Sequence, residues 1–566
     1  MSADPLARAI EMRLAERRGV PQITVLRRAS PPLVLTGHDL QQRADALRVR
    51  WDSQFGAGPL RLVLALPPGE WFLAALLAGI LGGHTMVPAA LPRLGSVASR
   101  LAHIVTDCGA DAVLCTGAQL PSIREGLRNA THGPSCPVVA IDAAEYGTHM
   151  QQRPQRIGPC AEGPHPVVVQ YTSGSTRLPK GVRISGASIL ANCRMVEESW
   201  GMGPETCMVN WLPHYHDMGL MGGILYPLLA GGRSVQMNPL DMVRRPVDWL
   251  RAISDHRADF SGGPAFAFAE CLRRIAPGDC AGLDLSCWTR AFCGAEPIPA
   301  GLLPAFRARF AAHGLPPEGV FGCYGMAEMT LFAAGAPGPA ASLGGTPVEP
   351  CRLNTLTAPR LRIVDPQSRM PCPEGREGEI WLRGPSKGDG YMNLPEETRQ
   401  TFHATLETPD AVAGEWLRTG DLGVITGELL HVTGRIKDTL IANGRKVAAA
   451  ELEWLAASMD DALNPLAAAA FMPDATESAR AVLLIELKSG YATTAGPLET
   501  VRSSIAKVIA GEWGIHLKDL RILPRGRLLR TSSGKVRRQA MAEAYRAGQV
   551  GVDVAEQTRT RQPHEA

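Results

Sequence analysis

Two kinds of apolar run alternate along the first third of the chain. Residues 60–66, 112–115 and 138–141 are short and apolar, which is typical of buried strands. Residues 71–81 form a longer apolar run after a Pro-Pro-Gly turn, and residues 96–108 show the apolar spacing of a helix. Alternating units of this kind predict a parallel sheet covered by helices.

A different pattern begins near residue 351. Apolar and polar residues alternate over 360–364 and 378–383, and Gly and Pro turns separate these stretches. Period-two alternation in short runs is typical of antiparallel strands with one face exposed. We therefore expect a small antiparallel barrel or sheet at the end of the larger α/β unit.

The last part of the chain has its own series of elements. The pattern predicts a helix over 448–458, a strand over 481–486, a helix over 498–511 and a strand over 519–523. A chain of 566 residues also exceeds what one core normally supports. We expect an α/β N-terminal domain over residues 1–435, a small mobile α+β C-terminal domain over 436–548 and a disordered tail over 549–566.

Composition and charge argue against several classes of protein. With 45% hydrophobic residues, 20% charged residues and a net charge of +3, the chain lacks the basic character expected for binding nucleic acid or an anionic membrane. The apolar run at 71–81 is shorter than the ~20 residues of a membrane span. Residues 1–21 lack the apolar segment of a signal peptide. We expect small soluble partners and no export.

The 13 cysteines are scattered, without a Cys-x-x-Cys pair or a Cys/His spacing. This pattern favours neither a zinc site nor a disulfide framework. Reduced thiols in a cytoplasm are the simplest interpretation, so we predict a cytoplasmic location.

The sequence YTSGSTRLPKG at residues 171–181 is the strongest candidate for a binding site. It follows an apolar run that predicts a buried strand, and α/β folds bind ligands at the carboxyl ends of strands. Its glycines and hydroxyl residues can wrap a polyphosphate, and Lys180 adds positive charge. The loop lacks the Walker spacing, which argues against a P-loop kinase or ATPase. A Ser/Thr/Gly-rich surface turn is the alternative.

Four further stretches carry residues suited to nucleotide chemistry: His216 in WLPHYHDMG, Glu328 in FGCYGMAE, Asp421 in WLRTGDLG and Lys535 in TSSGKVRR. A carboxylate at Glu328 suits the magnesium that accompanies ATP, and Asp421 suits two ribose hydroxyls. Taken singly, each residue has an ordinary alternative as a core histidine, a solvated carboxylate or a basic surface turn.

Residues 220–229 are apolar and rich in glycine, and they predict a helix. Small residues leave room beside a helix, which suits a groove for an apolar ligand; close packing of the helix on a sheet is the alternative. Gly222 and Gly223, with Met218 and Met221 beside them, would permit a long or bulky chain.

Taken in order, these stretches resemble the adenylate-forming superfamily of acyl-CoA synthetases, peptide-synthetase adenylation domains and luciferases. The resemblance covers about residues 20–545 and rests on the ordered set Tyr-Thr-Ser-Gly-Ser-Thr-x-x-Pro-Lys-Gly, Tyr-Gly-x-x-Glu, Thr-Gly-Asp, Gly-Arg-x-x-Asp and Ser-Gly-Lys. Residues 211–220, 261–264 and 294–297 are most similar to the fatty acyl-AMP ligases. This implies ATP-dependent activation of a fatty or other apolar carboxylic acid and transfer to the phosphopantetheine thiol of an acyl carrier protein.

The resemblance also implies a role for each matched residue. Lys535 would bridge the carboxylate and the α-phosphate, His216 would lie near the acyl carbonyl or the thiol path, and Glu328 would bind magnesium with Thr172. Lys437 would be the hinge. The remaining nucleotide contacts would be Thr172, Ser173, Gly174, Ser175, Thr176 and Lys180 at the phosphates, Gly294, Ala295, Glu296 and Tyr324 at the adenine, Gly325 and Met326 beside them, and Asp421 and Arg435 at the ribose.

The chain also departs from the pattern of these ligases. Only residues 333–359 separate the Tyr-Gly-x-x-Glu motif from the next strand, which is shorter than the insertion that such ligases usually carry and that is thought to disfavour CoA. CoA is therefore an alternative acceptor, and an amine acceptor or a non-catalytic acyl-adenylate binder are weaker alternatives. Ala327 stands in place of the usual threonine, as in acyl-AMP ligases, and Leu529 stands in place of a common proline, which affects loop stiffness.

Overall fold

The fold is mixed α/β, as predicted, with two large sheets whose central strands are parallel. The computed structural model describes residues 4–28, 30–56, 58–91, 97–129, 136–142, 165–172, 178–338, 348–408, 414–442, 445–473, 480–488, 495–530 and 535–550. Within them the larger sheet has 12 strands, in the spatial order Leu361–Val364, Gly378–Leu382, Leu417–Thr426, Leu429–Arg435, Cys351–Arg352, Val320–Gly322, Arg290–Gly294, Phe260–Pro264, Cys207–Asn210, Arg233–Gln236, Pro21–Val25 and Leu33–Thr36.

The second sheet contains the strand that leads into the candidate phosphate loop. Its seven described strands are, in spatial order, Gly390–Tyr391, Lys180–Ile184, Val168–Thr172, Thr85–Pro88, Arg61–Leu64, Ala112–Cys115 and Val138–Ala140. The order of the last four agrees with the predicted βα units, because each neighbour pair is parallel. The loop leaves at the carboxyl end of Val168–Thr172, which is the edge of the sheet where such folds bind ligands.

Helices cover both sheets. The described helices longer than two turns are Pro5–Glu16, Gly37–Phe55, Glu70–Leu81, Val97–Asp107, Leu120–Arg128, Gly186–Trp200, Met218–Leu225, Pro246–His256, Ala265–Arg274, Leu302–Phe310, Pro395–Phe402, Ala449–Ser458, Ala495–Trp513 and Arg538–Arg546. Glu70–Leu81 is buried from Phe72 to Leu81, as its apolar sequence predicts. Each described helix is too short or too polar to span a bilayer.

The antiparallel strands after residue 351 extend the large sheet. Leu361–Val364 is the edge strand of that sheet and pairs with Gly378–Leu382. In the described part of the chain it does not pair with Leu429–Arg435, so these strands do not close into a barrel. Cys351–Arg352 pairs antiparallel with Leu429–Arg435 and parallel with Val320–Gly322, so it connects the two kinds of pairing. These strands therefore form an antiparallel extension of the large sheet, which is the sheet form of the barrel or sheet that we expected here.

The C-terminal part contains the four elements that the sequence predicts, in the predicted order. Leu463–Phe471, Arg480–Leu487 and His516–Leu523 form a three-stranded sheet with Ala449–Ser458 and Ala495–Trp513 beside it. Its apolar residues form a core of their own, with Leu452, Ile485, Ile505 and Ile522 fully buried. The boundary after residue 435 and the mobility of this part stay predictions, and residues 551–566 of the expected tail lie outside the described residues.

Candidate active site

One cavity of about 1590 Å³ brings together most of the predicted site residues. It lies at the carboxyl ends of the parallel strands and is closed on one side by the C-terminal part of the chain. Its lining includes Thr172, Lys180, His216, Ala295, Glu296, Tyr324, Gly325, Met326, Glu328, Arg435, Lys437 and Lys535. Gly294 and Asp421 are adjacent to lining residues, whereas Ser173, Gly174, Ser175 and Thr176 lie outside the described residues.

At the phosphate end, two predicted residues are connected through a tyrosine. The Lys180 ammonium forms an ion pair with Glu397 and lies 5.3 Å from the centre of the Tyr391 ring. The Tyr391 hydroxyl donates to Glu328 Oε1 at 2.9 Å, and burial raises the pKa of Glu328. Thr172 lies opposite Lys180 in the strand pair. A cation and a carboxylate therefore face the same region beside the strand end.

The two residues predicted for the ribose face each other across neighbouring strands. Leu417–Thr426 and Leu429–Arg435 are in register so that Asp421 lies opposite Arg435, and the two form an ion pair with 2.8 Å between Arg435 Nε and Asp421 Oδ1. Tyr324 donates its hydroxyl to Asp421 Oδ2 at 2.7 Å. The charge of Asp421 raises the pKa of Arg435. The Asp421 carboxylate is thus held by the Tyr324 hydroxyl on one oxygen and by the Arg435 guanidinium on the other.

A buried carboxylate supports the turn that carries Asp421. Glu379 Oε2 accepts from Arg418 Nε at 3.0 Å and from Trp381 Nε1 at 2.9 Å. Its Oε1 accepts from the backbone N–H of Gly420 at 3.0 Å. A buried charge held by three donors fixes the backbone beside the ribose candidate.

The segment predicted to frame the adenine has a strained backbone. A Cβ at Gly294 would come within 2.5 Å of the Cys323 carbonyl oxygen, so this close approach requires glycine. Ala295 has φ of 74°, a left-handed conformation that is uncommon for a residue with a Cβ. Outliers of this kind concentrate at functional sites. The Ala295 carbonyl accepts a hydrogen bond from Lys535 Nζ, which links the C-terminal part to this segment.

Lys535 lies among charged groups from several elements. Burial is the main cause that lowers the pKa of Lys535, and three carboxylates oppose this effect: Glu296, Asp217 and Asp421. The charge of Arg435 adds to the lowering. The structure therefore places a C-terminal cation between the candidate adenine segment and the candidate ribose pair.

His216 faces the cavity and is oriented by its neighbour. Its Nδ1 lies 2.5 Å from Asp217 Oδ1, which also accepts from the backbone N–H of Met218 at 2.7 Å. Burial opposes the charged form of Asp217, but His216, the Met218 N–H and the charge of Lys535 together hold its pKa below its ordinary value. Asp217 thus connects His216, a helix start and Lys535.

Comparison with known proteins identifies the family of this chain. The family model described as "AMP-binding enzyme" matches residues 18–392, which is more than half of the chain. The chain belongs to this family of AMP-binding enzymes. Membership indicates that this protein binds an adenine nucleotide, and ATP is the nucleotide that adenylate-forming members use.

Relatives of this AMP-binding enzyme carry informative names. It is 33% identical over 88% of its length to the long-chain-fatty-acid–AMP ligase FadD26 of Mycobacterium marinum, of which 88% is covered. It is 30% identical over 91% of its length to the medium-chain-fatty-acid–[acyl-carrier-protein] ligase JamA of Moorena producens, of which 90% is covered. A solved structure described as a fatty acyl-adenylate ligase, from work on E. coli and L. pneumophila, has a TM-score of 0.82 and 27% identity, with 96% and 98% of the two chains covered.

Behind His216, the helix of this AMP-binding enzyme differs from the prediction. In place of one regular helix over 220–229, the chain forms a π-helix over Met218–Leu225 and then one α-helical turn over Tyr226–Leu229. π-Helices are rare and occur mostly as short segments at functional sites. The sequence could not indicate it, because every residue of Met218–Leu225 is apolar or glycine and so no face is marked.

Buried polar side chains hold this π-helix. Gln236 Nε2 donates to the carbonyl of Gly223 at 2.9 Å, and Gln236 Oε1 accepts from Asn210 Nδ2 at 2.8 Å. His214 Nε2 lies 2.9 Å from the same Oε1, and burial lowers the pKa of His214 to about 4. His214 is therefore a neutral core histidine, whereas His216 faces the cavity.

The side of the cavity beside the π-helix is apolar. Its lining includes Val196, Trp200, Met208, Phe260, Phe292 and Phe332. Gly222 also lines it, and a Cβ there would lie 3.2 Å from Leu331 Cδ2. The predicted apolar groove is thus next to the charged cluster around Lys535.

Sequence reasoning missed four polar residues of this site. Glu379, Tyr391 and Glu397 lie in stretches without a recognisable motif. Only folding brings Glu379 and Tyr391 to the cavity and Glu397 to Lys180. Asp217 had a local signal, since it follows His216 directly and precedes an apolar helix, as an N-cap residue does.

Proposed function

We propose that this protein uses ATP to convert a fatty or other apolar carboxylic acid to acyl-AMP and then transfers the acyl group to the phosphopantetheine thiol of an acyl carrier protein. The observation that carries this proposal is the hydrogen bond from Lys535 to the Ala295 carbonyl, in a cavity that is lined both by candidate nucleotide residues and by apolar side chains. The name of FadD26 supports a fatty acid as the substrate and an acyl adenylate as the product of the first step. The name of JamA supports an acyl carrier protein as the acceptor.

In the first step, a carboxylate oxygen of the acid attacks the α-phosphorus of ATP, and the bond to the leaving pyrophosphate breaks. Negative charge accumulates around phosphorus, and Lys535 is placed to stabilise it. Asp421 and Arg435 would hold the ribose, with Tyr324 and the segment from Gly294 at the base. Lys535 and these candidate nucleotide contacts thus belong to one cavity.

In the second step, the carrier thiol attacks the acyl carbonyl, the bond to the AMP phosphate breaks and AMP leaves. His216 is the imidazole that faces the cavity, and Asp217 fixes its orientation. Lys437 lies in the short helical turn Ile436–Asp438, at the predicted boundary between the domains. We assign the hinge of a domain rotation between the two steps to this residue.

Glu328, with Thr172, would hold the magnesium ion that accompanies ATP. The described residues contain no cluster of three metal-ligating side chains. A single carboxylate suffices, because magnesium usually takes one or two carboxylates together with substrate phosphates and water. Tyr391 holds Oε1 of Glu328, and Thr172 lines the same cavity. Bound there, the ion would neutralise phosphate charge during adenylation.

CoA as the acceptor is the second candidate, suggested by the short stretch between residues 333 and 359 and by the names of some relatives. Several other matched mycobacterial relatives bear the name fatty-acid–CoA ligase FadD21, whereas JamA is named for a carrier protein. A cytoplasmic location stays a prediction.

One experiment tests the proposal and separates the two acceptors. Purified enzyme with ATP, magnesium and saturated acids of graded length is expected to catalyse acid-dependent exchange of pyrophosphate into ATP. Addition of a holo acyl carrier protein is then expected to give acyl-protein by mass spectrometry, with little acyl-CoA when CoA is added instead. Efficient acyl-CoA formation would overturn the choice of acceptor, and absence of exchange with every acid would overturn the adenylation itself.

Substitution of Gly222 tests the acyl side of the cavity. In Gly222→Phe the added ring occupies space beside Leu331, so we expect the KM for the longest accepted acid to rise at least about tenfold, the equivalent of ~1.4 kcal/mol. The KM for the shortest accepted acid is expected to change little. Gly278→Phe is the control, because Gly278 is exposed and a Cβ there meets nothing within 4 Å. An equal loss for all acid lengths would contradict this placement.

A further inference from the structure

One face of the helix Val97–Asp107 lies against the strands that flank the candidate phosphate loop. His103 Nε2 lies 3.0 Å from the carbonyl oxygen of Pro179. One turn further, Asp107 Oδ2 accepts from the hydroxyl of Tyr171 at 2.6 Å. Arg100 precedes His103 by three residues and so shares this face. The helix therefore directs Arg100 toward the ligand edge of the sheet.

Arg100 lines the same cavity as Thr172, Lys180 and His216. It is half-buried, and burial lowers the pKa of Arg100, as does the nearby charge of Arg537. Arg537 is two residues after Lys535 and precedes the helix Arg538–Arg546. Arg537 lines the same cavity, so two guanidinium groups, one from each part of the chain, face a common space.

Neither guanidinium has a counter-ion among the described residues. The neighbouring Arg538 differs, because it bonds to Glu453 at 2.6 Å and to Asp438 at 3.1 Å. Arg435 likewise pairs with Asp421. Two half-buried cations of like charge repel, and a structure keeps such an arrangement most readily where an anion binds between them.

We propose that Arg100 and Arg537 bind one diphosphate group from two sides: the β- and γ-phosphates of ATP and, after adenylation, the leaving pyrophosphate. This rests on the proposed adenylation. Guanidinium groups suit this ligand, because each can donate two parallel hydrogen bonds to phosphate oxygens. Since Arg537 belongs to the segment that carries Lys535, pyrophosphate binding stabilises the placement of Lys535.

The reverse of the adenylation step tests pyrophosphate binding directly, because pyrophosphate is a substrate of that reaction. In it, an oxygen of pyrophosphate attacks the phosphorus of acyl-AMP, the bond to the acyl carboxylate breaks and the free acid leaves. The KM for pyrophosphate in acid-dependent exchange is therefore the measurement. Arg100→Gln and Arg537→Gln are each expected to raise it about tenfold to a hundredfold, as for loss of a hydrogen bond to a charged group. Arg100→Lys is expected to recover part of the loss, and Arg100→Glu to lose more.

Matched controls and a second reaction separate binding from folding. Arg128→Gln and Lys507→Gln remove exposed cations on other helices and are expected to leave the KM for pyrophosphate unchanged. Transfer from supplied acyl-AMP to the carrier protein uses no pyrophosphate, and in Arg100→Gln it is expected to keep the wild-type rate. A wild-type KM for pyrophosphate in Arg100→Gln, or a raised KM for CoA in its place, would overturn the proposal.

Failure of the proposed adenylation can be distinguished from failure of the proposed two-arginine site. If the wild-type protein exchanges with no acid, calorimetric titration with pyrophosphate still tests the site. Weaker binding by Arg100→Gln than by Arg128→Gln would then support the two-arginine site, and equal binding would refute it.

Discussion

Replacement of Lys535 with Ala is expected to slow acid-dependent formation of acyl-AMP by ~10²–10³, the usual loss for one preorganised donor at a developing charge. Lys535 is the C-terminal cation that reaches the Ala295 carbonyl, and Glu296, Asp217 and Asp421 surround it with negative charge. Removal of this cation leaves the charge at phosphorus uncompensated in the transition state. ATP–pyrophosphate exchange measures the effect.

Transfer from supplied acyl-AMP is the internal control, since it involves no attack at the α-phosphorus. We expect Lys535→Ala to keep most of that activity. Lys507→Ala serves as the matched variant, because Lys507 is exposed on the helix Ala495–Trp513. An equal loss in both half-reactions, or a lower melting temperature than that of Lys507→Ala, would show that Lys535 acts on the fold and not on adenylation.

The sequence predicts most clearly what short, contiguous patterns encode. Residues 61–66, with the turn and the apolar run after them, follow local propensity, and the structure has a strand and a buried helix there. Asp421 and Arg435 were identified through separate motifs, and the register of two adjacent strands explains why these motifs meet. The order of the motifs along the chain thus indicates that Asp421 and Arg435 belong to one site, which neither motif indicates by itself.

What the sequence could not predict depends on long-range contacts. Tyr391 reaches Glu328, and Glu397 reaches Lys180, from a stretch more than 60 residues distant in both cases. The antiparallel strands join the large sheet only because Cys351–Arg352 pairs with Val320–Gly322 on one side and with Leu429–Arg435 on the other. Neither propensity nor spacing records such pairings, because they arise from competition among all strand edges during folding.

Asp217 is the residue whose importance emerges only from these contacts, and its replacement is the second large effect that we expect. Asp217→Ala removes the acceptor for the Met218 N–H, which typically costs about 0.5–2 kcal/mol of stability, and leaves His216 Nδ1 without its partner. A displaced imidazole and a displaced π-helix at the reacting carbonyl are expected to lower kcat by about 10² in both half-reactions, as small misplacements of reacting groups do.

Asp217→Asn separates the charge from the hydrogen bond. The amide oxygen still accepts from the Met218 N–H, so we expect near-normal thermal stability. The lost negative charge no longer opposes the lowering of the pKa of Lys535, so the ammonium deprotonates at lower pH. The alkaline limb of kcat/KM for ATP, which reports the free enzyme, is therefore expected to move to lower pH. Asp248→Asn, in the first turn of Pro246–His256, should leave that limb in place; a wild-type profile in Asp217→Asn would mean that its charge does not act on Lys535.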